Sequence, residues 1–244
     1  MSFHDAWNRA TPIEGWLTEG QARRLYEAAL TVPEGGQVVE IGSFRGRSAS
    51  VLATGAERVV CIDPHMGSDR GPQEIAANPE LGDSDYDTFH ANLARAGVAE
   101  RVEHVRALSA DALDAVPGAA NVLFVDGAHR YGPALDDIVR WGAKVPPGGR
   151  MLVHDSFSSV GVTLALLRAV TFSGHWRYLG RSRSLAEWER RREPGSLAER
   201  ARSAGAQLAS LPWFARNVVV KALILAGRAR WARALGHRDG PWPY

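Results

Sequence analysis

Five short strand-like segments recur between residues 37 and 156, and stretches with helical spacing separate them. The segments are QVVEIG, RVVCIDP, RVEHVRA, NVLFVDG and RMLVHDS. Strands that alternate with helices are joined by right-handed crossovers, which build a parallel sheet covered on both faces. The pattern predicts an α/β fold with a doubly wound, mostly parallel sheet. A further helix is predicted over 18–30, where Thr18 and Gln21 have the spacing of a capping box.

The composition fits a globular protein with an ample core. The chain has 244 residues, of which 45% are hydrophobic. One cysteine, Cys61, excludes an internal disulfide framework and favours a reducing compartment. The first residues show no basic region followed by an apolar run, and no window reaches about 18 uninterrupted apolar residues. We therefore predict a cytoplasmic location, with neither a signal peptide nor a membrane span.

Charge divides the chain into two parts. Residues 1–180 carry 16 Lys and Arg against 22 Asp and Glu, a net charge of −6, whereas residues 181–244 carry 13 against 5, a net charge of +8. We predict an acidic core domain over 1–185 and a basic helical C-terminal extension over 186–244, which has its own partner or docking surface. A solvated basic helical face is the alternative meaning of this asymmetry.

The extension contains an apolar helix pattern over 212–236 that is interrupted by basic residues. Two interpretations of it stay open. The helix packs on this subunit or on a twin, closing a homodimer. Alternatively, it lies peripherally on the inner face of an anionic membrane. No nucleic-acid-binding module is recognisable, so we do not expect nucleic acid as a partner.

Polar residues gather where the predicted strands end. In open parallel sheets, ligands bind beyond the carboxyl ends of the strands. Like charges that meet at one edge repel each other unless a cation or a polyol binds there. The residues at these ends are Glu40, Gly42, Asp63, Ser109, Asp126, His154 and Asp155.

The turn after the first strand indicates the kind of ligand. Gly42 and Gly46 let the backbone approach a ligand closely, and the following helix offers free N–H groups. Asp63 lies 23 residues beyond Glu40, a spacing suited to an acid that binds a ribose diol. Three residues separate the two glycines, so the turn is not GxGxxG, and the acid at Glu40 favours a cationic ligand over a pyrophosphate. A nicotinamide dehydrogenase is therefore disfavoured.

Four motifs together resemble a known family. VVEIGSFRGRS, VVCIDP, LFVDGAHRY and PPGGRMLVHDSF look like the successive motifs of class I S-adenosylmethionine (SAM) methyltransferases. The closer likeness is to the metal-dependent O-methyltransferases, which include catechol and bacterial sugar O-methyltransferases. The resemblance covers residues 20 to 180 and implies a Rossmann-like, seven-stranded sheet with SAM as cofactor. It also implies the cofactor-binding residues: Glu40, Gly42 and Ser43 at the methionine part, Asp63 at the ribose, Ser109 and Ala110 at the adenine, with Gly46, Ser48 and Asp126 beside them.

The motifs DGAHRY and HDSF carry the expectation of a metal. Mg²⁺ binds a few carboxylates together with waters and substrate oxygens, and Asp126 and Asp155 can point at one spot. The third protein ligand is open between His154 and Ser156. Histidine is a softer ligand that would favour Mn²⁺. The alternative without a metal is that Asp126 caps a turn and His154 is a buried, hydrogen-bonded residue at a strand end.

Methylation of a hydroxyl also needs a group that takes its proton. His129, three residues past Asp126, is the first candidate for this base because the catechol enzymes place a lysine there. His154 is the second candidate. In the alternative interpretation, His129 only packs against the substrate or hydrogen-bonds to it.

Residues 64–84 are rich in glycine, proline and polar residues, which predicts a lid over the acceptor. The candidate acceptor residues are His65, Met66, Arg70 and Tyr131, of which Tyr131 is more typical of core or helix packing than of a residue that stacks on a sugar. A polar lid suits a saccharide or glycoside better than a flat phenol.

Three functions are therefore compared. The first is a metal-dependent O-methyltransferase that acts on a hydroxyl of a small polar acceptor such as a sugar. The second is a metal-independent SAM methyltransferase that acts on a phenol or a nitrogen. The third is a non-catalytic SAM-binding or membrane-docked scaffold protein.

Overall fold

The computed structural model describes residues 1–68 and 76–237 and contains one seven-stranded sheet. The strand order is β3-β2-β1-β4-β5-β7-β6, in which β1 to β5 are parallel and β7 runs antiparallel to both of its neighbours. The Rossmann-like, doubly wound, mostly parallel sheet is confirmed. The strands are β1 (Val38–Ile41), β2 (Val59–Ile62), β3 (Val102–Val105), β4 (Val122–Val125), β5 (Arg150–Val153), β6 (Trp176–Ser182) and β7 (Leu185–Arg190).

Helices cover both faces of this sheet. Two of them, α6 and α7, continue as π-helical turns over Asp137–Trp141 and Leu167–Thr171. The helices are α1 (Phe3–Ala10), α2 (Glu19–Ala29), α3 (Arg47–Gly55), α4 (Pro79–Ala96), α5 (Ser109–Ala112), α6 (Tyr131–Asp136), α7 (Val160–Leu166), α8 (Leu197–Leu208), α9 (Leu211–Leu225) and α10 (Ala229–Ala234).

The sheet separates two hydrophobic cores, because successive side chains of a strand point to opposite faces. In β1, Val38 packs with α1 to α4 on one face, whereas Val39 and Ile41 pack with α5 to α7 on the other. Both neighbours of β1 are parallel strands, so all four of its residues are buried. The one acid in this strand, Glu40, therefore lies inside the protein.

Capping residues set the ends of two helices near the site. The predicted capping box at Thr18 and Gln21 is present and starts α2. Helix α4 starts at Pro79, inside the predicted lid, because the Asn78 side chain accepts a hydrogen bond from the Leu81 N–H and proline suits the first turn. The final six residues of the predicted lid, 79–84, are therefore helical, and residues 69–75 lie outside the described part of the chain.

The C-terminal part differs from expectation in two respects. Strand β7 pairs with β5 inside the sheet, so the sheet continues five residues beyond the domain boundary predicted at residue 185. The single helix predicted over 212–236 is two helices, because Gly227 adopts a left-handed conformation (φ 69°) that ends α9 before α10 begins.

One helical stretch, Leu197–Leu225, is long and apolar enough to cross a membrane by length and composition, with a mean hydropathy of 1.4. A turn at residues 209–210 divides this stretch into α8 and α9. Each of the two helices is shorter than the about 20 residues that a span needs. The finding by itself is therefore weak evidence for a membrane span.

Candidate active site

A cavity of about 660 Å³ opens where the parallel strands end. This is the edge of the sheet at which ligands bind in open α/β folds, because loops from several strands meet there. Nine of the residues predicted for the cofactor, the metal and the base line the cavity, and they are Gly42, Ser43, Ser48, Asp63, Ser109, Ala110, Asp126, His129 and Asp155. His154, which was predicted from the sequence as both a metal ligand and a base, lines the cavity as well.

The glycine turn after β1 brings two strand ends into contact. Gly42 has φ +85°, and a Cβ atom there would lie 2.2 Å from the carbonyl oxygen of Asp126. Only glycine allows this approach. Gly46 is the N-cap of α3 with φ +87°, but it does not line the cavity, and a Cβ there would meet the Phe89 ring at 3.1 Å. Gly46 therefore shapes the turn on the side that packs against α4 and does not face the cavity.

Asp63, the predicted ribose ligand, holds the turn in place. Its Oδ2 accepts hydrogen bonds from the backbone N–H groups of Ser43 (2.9 Å) and Phe44 (2.8 Å), and its Oδ1 accepts one from His65 N–H (2.8 Å). The carboxylate thereby connects the loops after β1 and β2 along the cavity wall. Oδ1 retains a further acceptor position, and ribose binding by Asp63 stays a prediction.

Glu40, the predicted methionine ligand, lies beneath the cavity wall rather than in it. The side chain has no exposed surface, and its Oε2 accepts a hydrogen bond from the Cys61 thiol at 3.1 Å, since the two residues are register partners in β1 and β2. Its Oε1 has no partner among the described residues. Burial raises the pKa of Glu40 from 4.5 to about 7, although the nearby hydroxyls of Ser48 and Ser43 and the Cys61 thiol oppose this shift.

This raised pKa makes the stability of the protein depend on pH. The folded state keeps the Glu40 proton up to about pH 7, whereas the unfolded state releases it at about 4.5, so the free energy of unfolding falls as the pH rises between these values. The total loss is about 3 kcal/mol. We expect Glu40→Gln to match the wild type near pH 5 and to be more stable at pH 8, as measured by urea unfolding. Glu193→Gln, at an exposed residue, is the control, and parallel stability profiles for Glu40→Gln and the wild type would contradict the expectation.

Two carboxylates and one imidazole meet at the ends of β4 and β5. Asp126, His154 and Asp155 each offer one ligand atom within 4.8 Å of the others. His154 Nδ1 lies 3.1 Å from Asp126 Oδ1 and 3.8 Å from Asp155 Oδ2. Asp155 adopts a left-handed backbone conformation (φ 55°), is buried, and its Oδ1 has no partner among the described residues. The cluster is therefore rich in acceptors and suited to a cation.

The charges of the cluster shift its pKa values strongly. Burial would lower the pKa of His154, but the carboxylates of Asp126 and Asp155 raise it well above its usual range. Burial likewise opposes the charge on Asp155, but His154 and His129 hold the pKa of that carboxyl well below its usual range. Asp155 is therefore ionised at neutral pH and available to a cation.

A residue far away in the sequence orients His154. Gln21 is buried, and its amide nitrogen lies 3.2 Å from His154 Nε2. The same nitrogen donates a hydrogen bond to Ser184 Oγ at 3.0 Å, and the amide oxygen accepts one from the Thr18 N–H. In a neutral His154, this amide orientation makes Nε2 the acceptor and puts the ring proton on Nδ1, which faces Asp126 Oδ1. The imidazolium that the two carboxylates favour carries a proton on both nitrogens and needs an acceptor at Nε2. A rotated amide would present its oxygen to an Nε2–H group and leave Nδ1 free to bind a metal.

His129 lies beside this cluster on the loop after β4. Its Nε2 is 2.6 Å from Asp155 Oδ2, and its backbone carbonyl accepts a hydrogen bond from Ser159 Oγ at 3.2 Å. A Cβ at Gly161 would lie 2.2 Å from the same carbonyl, so α7 packs directly against this loop. Burial would lower the pKa of His129, but the carboxylates of Asp155 and Asp126 raise it.

Ser156 does not join the cluster. Its hydroxyl donates to the Val153 carbonyl at 2.8 Å, its N–H donates to Ser184 O at 2.9 Å, and it does not line the cavity. The predicted ligand role of Ser156 is thus corrected, because the turn after β5 directs its hydroxyl back to the strand.

The predicted acceptor residues lie in different places. Met66 lines the cavity and is 43% exposed. His65 also lines the cavity, but its ring is buried and packs edge-on against Tyr86. Tyr131 begins α6, exposes 43% of its surface and does not line the cavity. Arg70 lies outside the described residues.

Sequence reasoning missed Asp137 and the segment before α2. Asp137 accepts a hydrogen bond from Ser109 Oγ at 2.5 Å, and burial raises its pKa to about 6. Residues 14–17 form part of the cavity wall, where the Trp16 and Phe44 rings lie 5.3 Å apart and Arg47 Nη1 donates to the Gly15 carbonyl. The position of Asp137 on an apolar helix face was the sequence signal that could have predicted the burial of this residue.

Comparisons with known proteins identify the type of domain. Residues 39–156 match the family model described as a methyltransferase domain. The uncharacterized protein R132 of Acanthamoeba polyphaga mimivirus is 27% identical over 124 residues, a region that covers 48% of this chain and 50% of R132. The chain thus spans half the length of that curated relative.

Solved structures share the fold. The O-methyltransferase NovP is 18% identical, with a TM-score of 0.55 over 70% of this chain and 80% of NovP. TomG from Streptomyces achromogenes, an O-methyltransferase involved in tomaymycin synthesis and solved with SAM, is also 18% identical, with a TM-score of 0.52 over 78% of this chain and 89% of TomG. At such identities the similarity is one of fold.

Proposed function

We propose that this chain, whose residues 39–156 match the model of a methyltransferase domain, is a class I SAM-dependent methyltransferase and, within that class, a divalent-metal-dependent O-methyltransferase. The methyl group goes to a hydroxyl of a small polar acceptor, a sugar or glycoside. One observation carries the proposal: the cluster of Asp126, His154 and Asp155 lies at the cavity wall with His129 in contact with it.

The donor set fits a divalent cation. Two carboxylates at the strand ends supply hard oxygen ligands, and the buried Asp155 Oδ1 has no partner among the described residues. A cation held by Asp126 and Asp155 would take its other ligands from water and from acceptor oxygens, as Mg²⁺ prefers. Ligation by His154 Nδ1 would shift the preference towards Mn²⁺. A bound cation lowers the pKa of the acceptor hydroxyl that it contacts.

The protein residues then position the acceptor and handle its proton. In the transfer, the acceptor oxygen forms a bond to the methyl carbon while the bond from that carbon to the sulfonium sulfur breaks. The hydroxyl proton goes to Nδ1 of a neutral His129, because Nε2 faces Asp155 Oδ2 at 2.6 Å. Alignment of oxygen, carbon and sulfur supplies much of the acceleration. The loops that Gly42 and Asp63 hold together provide the rigid wall against which SAM is oriented.

Polar cavity residues support a hydroxylated acceptor. Glu14, Arg47, Arg130 and Asp136 line the cavity together with Met66, so charged and polar groups lie on several of its sides. Such groups recognise a sugar by hydrogen bonds to its hydroxyls, which a flat phenol cannot match in number. Solved O-methyltransferases share the fold of this chain, which is consistent with methyl transfer to a hydroxyl oxygen.

One observation favours a second function, the metal-independent methyltransferase. His129 Nε2 lies 2.6 Å from Asp155 Oδ2, and an imidazole oriented by a carboxylate is a general base that needs no metal. The first function draws on the same carboxylate, whose Oδ1 has no partner among the described residues. The two functions therefore compete for one carboxylate.

Titration calorimetry on chelator-stripped protein distinguishes them. S-adenosylhomocysteine, the cofactor product, is titrated first, followed by Mg²⁺ and Mn²⁺, and turnover is then assayed on glycoside acceptors. Activity that is lost in chelator and restored by either cation supports the metal-dependent enzyme. Cofactor binding with activity that is indifferent to chelator supports the metal-independent enzyme, and the absence of cofactor binding contradicts both.

The role of His129 is tested by removing its imidazole. We expect His129→Ala to lower kcat by roughly 10²–10⁴ with little change in KM, because general-base catalysis contributes that much. His175→Ala, an exposed histidine beyond α7, is the matched control and should keep its activity. A small loss of kcat with a raised KM would instead identify His129 as a residue that only binds the acceptor.

A further inference from the structure

Helix α9 exposes an uninterrupted apolar stripe. The stripe consists of residues three or four positions apart, which lie on one side of a helix. Val219 is 48% exposed and Leu225 is 72% exposed, so these side chains meet solvent in the described structure. The members of the apolar stripe are Ala215, Val218, Val219, Ala222, Leu225 and Ala226, and all six are exposed.

The opposite side of α9 is packed against the protein. Asn217 and Val220 are buried, and Lys221 Nζ donates to the Ser158 carbonyl at 3.3 Å. Helix α10 continues the exposed surface with Trp231, which is 62% exposed. The helix is therefore fixed along the protein with its apolar stripe facing outwards.

Charge indicates what covers this stripe. Residues 200–237 contain seven Lys and Arg and no Asp or Glu. Arg228, Arg230 and Arg233 are exposed around Trp231. Apolar side chains with a tryptophan, bordered by basic residues, are the pattern of helices that lie in the interface of a bilayer. We propose that α9 and α10 dock the protein on the surface of an anionic lipid bilayer, independently of which acceptor it methylates.

The dimensions favour a helix that lies on the membrane. With 15 residues, α9 is about 22 Å long, whereas the hydrocarbon core is about 30 Å thick. Spanning would also expose the side that carries Lys221 to lipid, although that side is now packed on the protein. A helix parallel to the surface instead buries only the apolar stripe and leaves the arginines beside lipid phosphates.

The alternative occupant, a second copy of the chain, is disfavoured by charge. A two-fold interface places the same patch against itself. Here it would bring two cationic surfaces together without an acidic residue from 200–237 to pair with them. An anionic bilayer supplies the opposite charge.

The test is co-sedimentation of the full chain with vesicles. We expect binding to phosphatidylcholine vesicles that contain one quarter phosphatidylglycerol, weak binding to phosphatidylcholine alone, and release in 1 M salt, where the screening length falls to about 3 Å. Val219→Glu and Leu225→Glu should each lower the partition coefficient at least about tenfold. Leu30→Glu, at an exposed leucine that follows α2, is the matched control and should bind like the wild type.

Each variant is first shown to bind S-adenosylhomocysteine, which establishes that it is folded. Equal binding of the wild type and both stripe variants, or no binding to anionic vesicles, would overturn the proposal. Sedimentation velocity without lipid supplies the remaining outcome. A dimer of the wild type that Leu225→Glu dissociates would assign the stripe to a second copy and would likewise overturn it.

Discussion

Asp155→Asn is expected to reduce turnover by about 10²–10⁴ while binding of S-adenosylhomocysteine stays nearly unchanged. The substitution removes the charge that a cation requires and that also orients His129 at 2.6 Å. Asparagine tolerates the left-handed conformation of this position, so the turn after β5 keeps its shape. Turnover with saturating Mg²⁺, together with calorimetric titration of Mg²⁺ and of the cofactor product, measures both effects.

Asp126→Asn is a second variant that keeps the metal assignment testable if Asp155→Asn does not fold. Loss of one partner from a buried charged cluster destabilises proteins by about 3–5 kcal/mol, and Asp155 is the more deeply buried of the two acids. Asp126 is partly exposed, so its variant is the milder one for stability. If either folded variant retains wild-type turnover and its dependence on metal, the metal assignment is wrong.

Gly42→Ala is expected to lose about 2–5 kcal/mol of stability, because a left-handed alanine costs about 1–2 kcal/mol and overpacking costs about 1–3 kcal/mol more. The added methyl would lie 2.2 Å from the Asp126 carbonyl oxygen, which is backbone and cannot rotate away. The loops after β1 and β4 must therefore separate, so cofactor binding should weaken as well. Urea unfolding and titration with S-adenosylhomocysteine measure the two losses.

Gly132→Ala is the matched control for this substitution. Gly132 also borders the cavity, but it lies in α6, and a Cβ there would meet no atom within 4 Å. Alanine should therefore keep or slightly raise stability, since it is the better helix former. If Gly42→Ala and Gly132→Ala lower the free energy of unfolding by the same amount, the close approach at Gly42 does not explain the destabilisation.

The five parallel strands, the helices between them and the acidic edge were predictable because they depend on local patterns, whereas the antiparallel pair β6 and β7 was implied only by the family resemblance. Short apolar segments that alternate with helical spacing specify a parallel sheet, and such a sheet necessarily brings its carboxyl ends together. Asp126 and Asp155 could therefore be predicted as neighbours although 29 residues separate them. The capping pattern at Thr18 was sufficient to place the start of α2.

Packing between distant segments decided the rest. Gln21 orients His154 across 133 residues, and no local pattern relates a helix-capping glutamine to a histidine at the end of a strand. Burial of Glu40 behind the cavity wall follows from its register with Cys61, which exists only once β1 and β2 pair. Ser156 was expected to be a ligand, but the turn after β5 directs its hydroxyl to the Val153 carbonyl.

The same division holds for the C-terminal helices. Composition alone indicates that α9 is apolar and that its surroundings are basic. Tertiary packing selects the side that is buried, because Asn217 and Val220 face the protein while Val219 and Leu225 are left exposed. A helical period defines faces but not their partners, so only the folded chain distinguishes a core stripe from a surface that is free to meet a membrane.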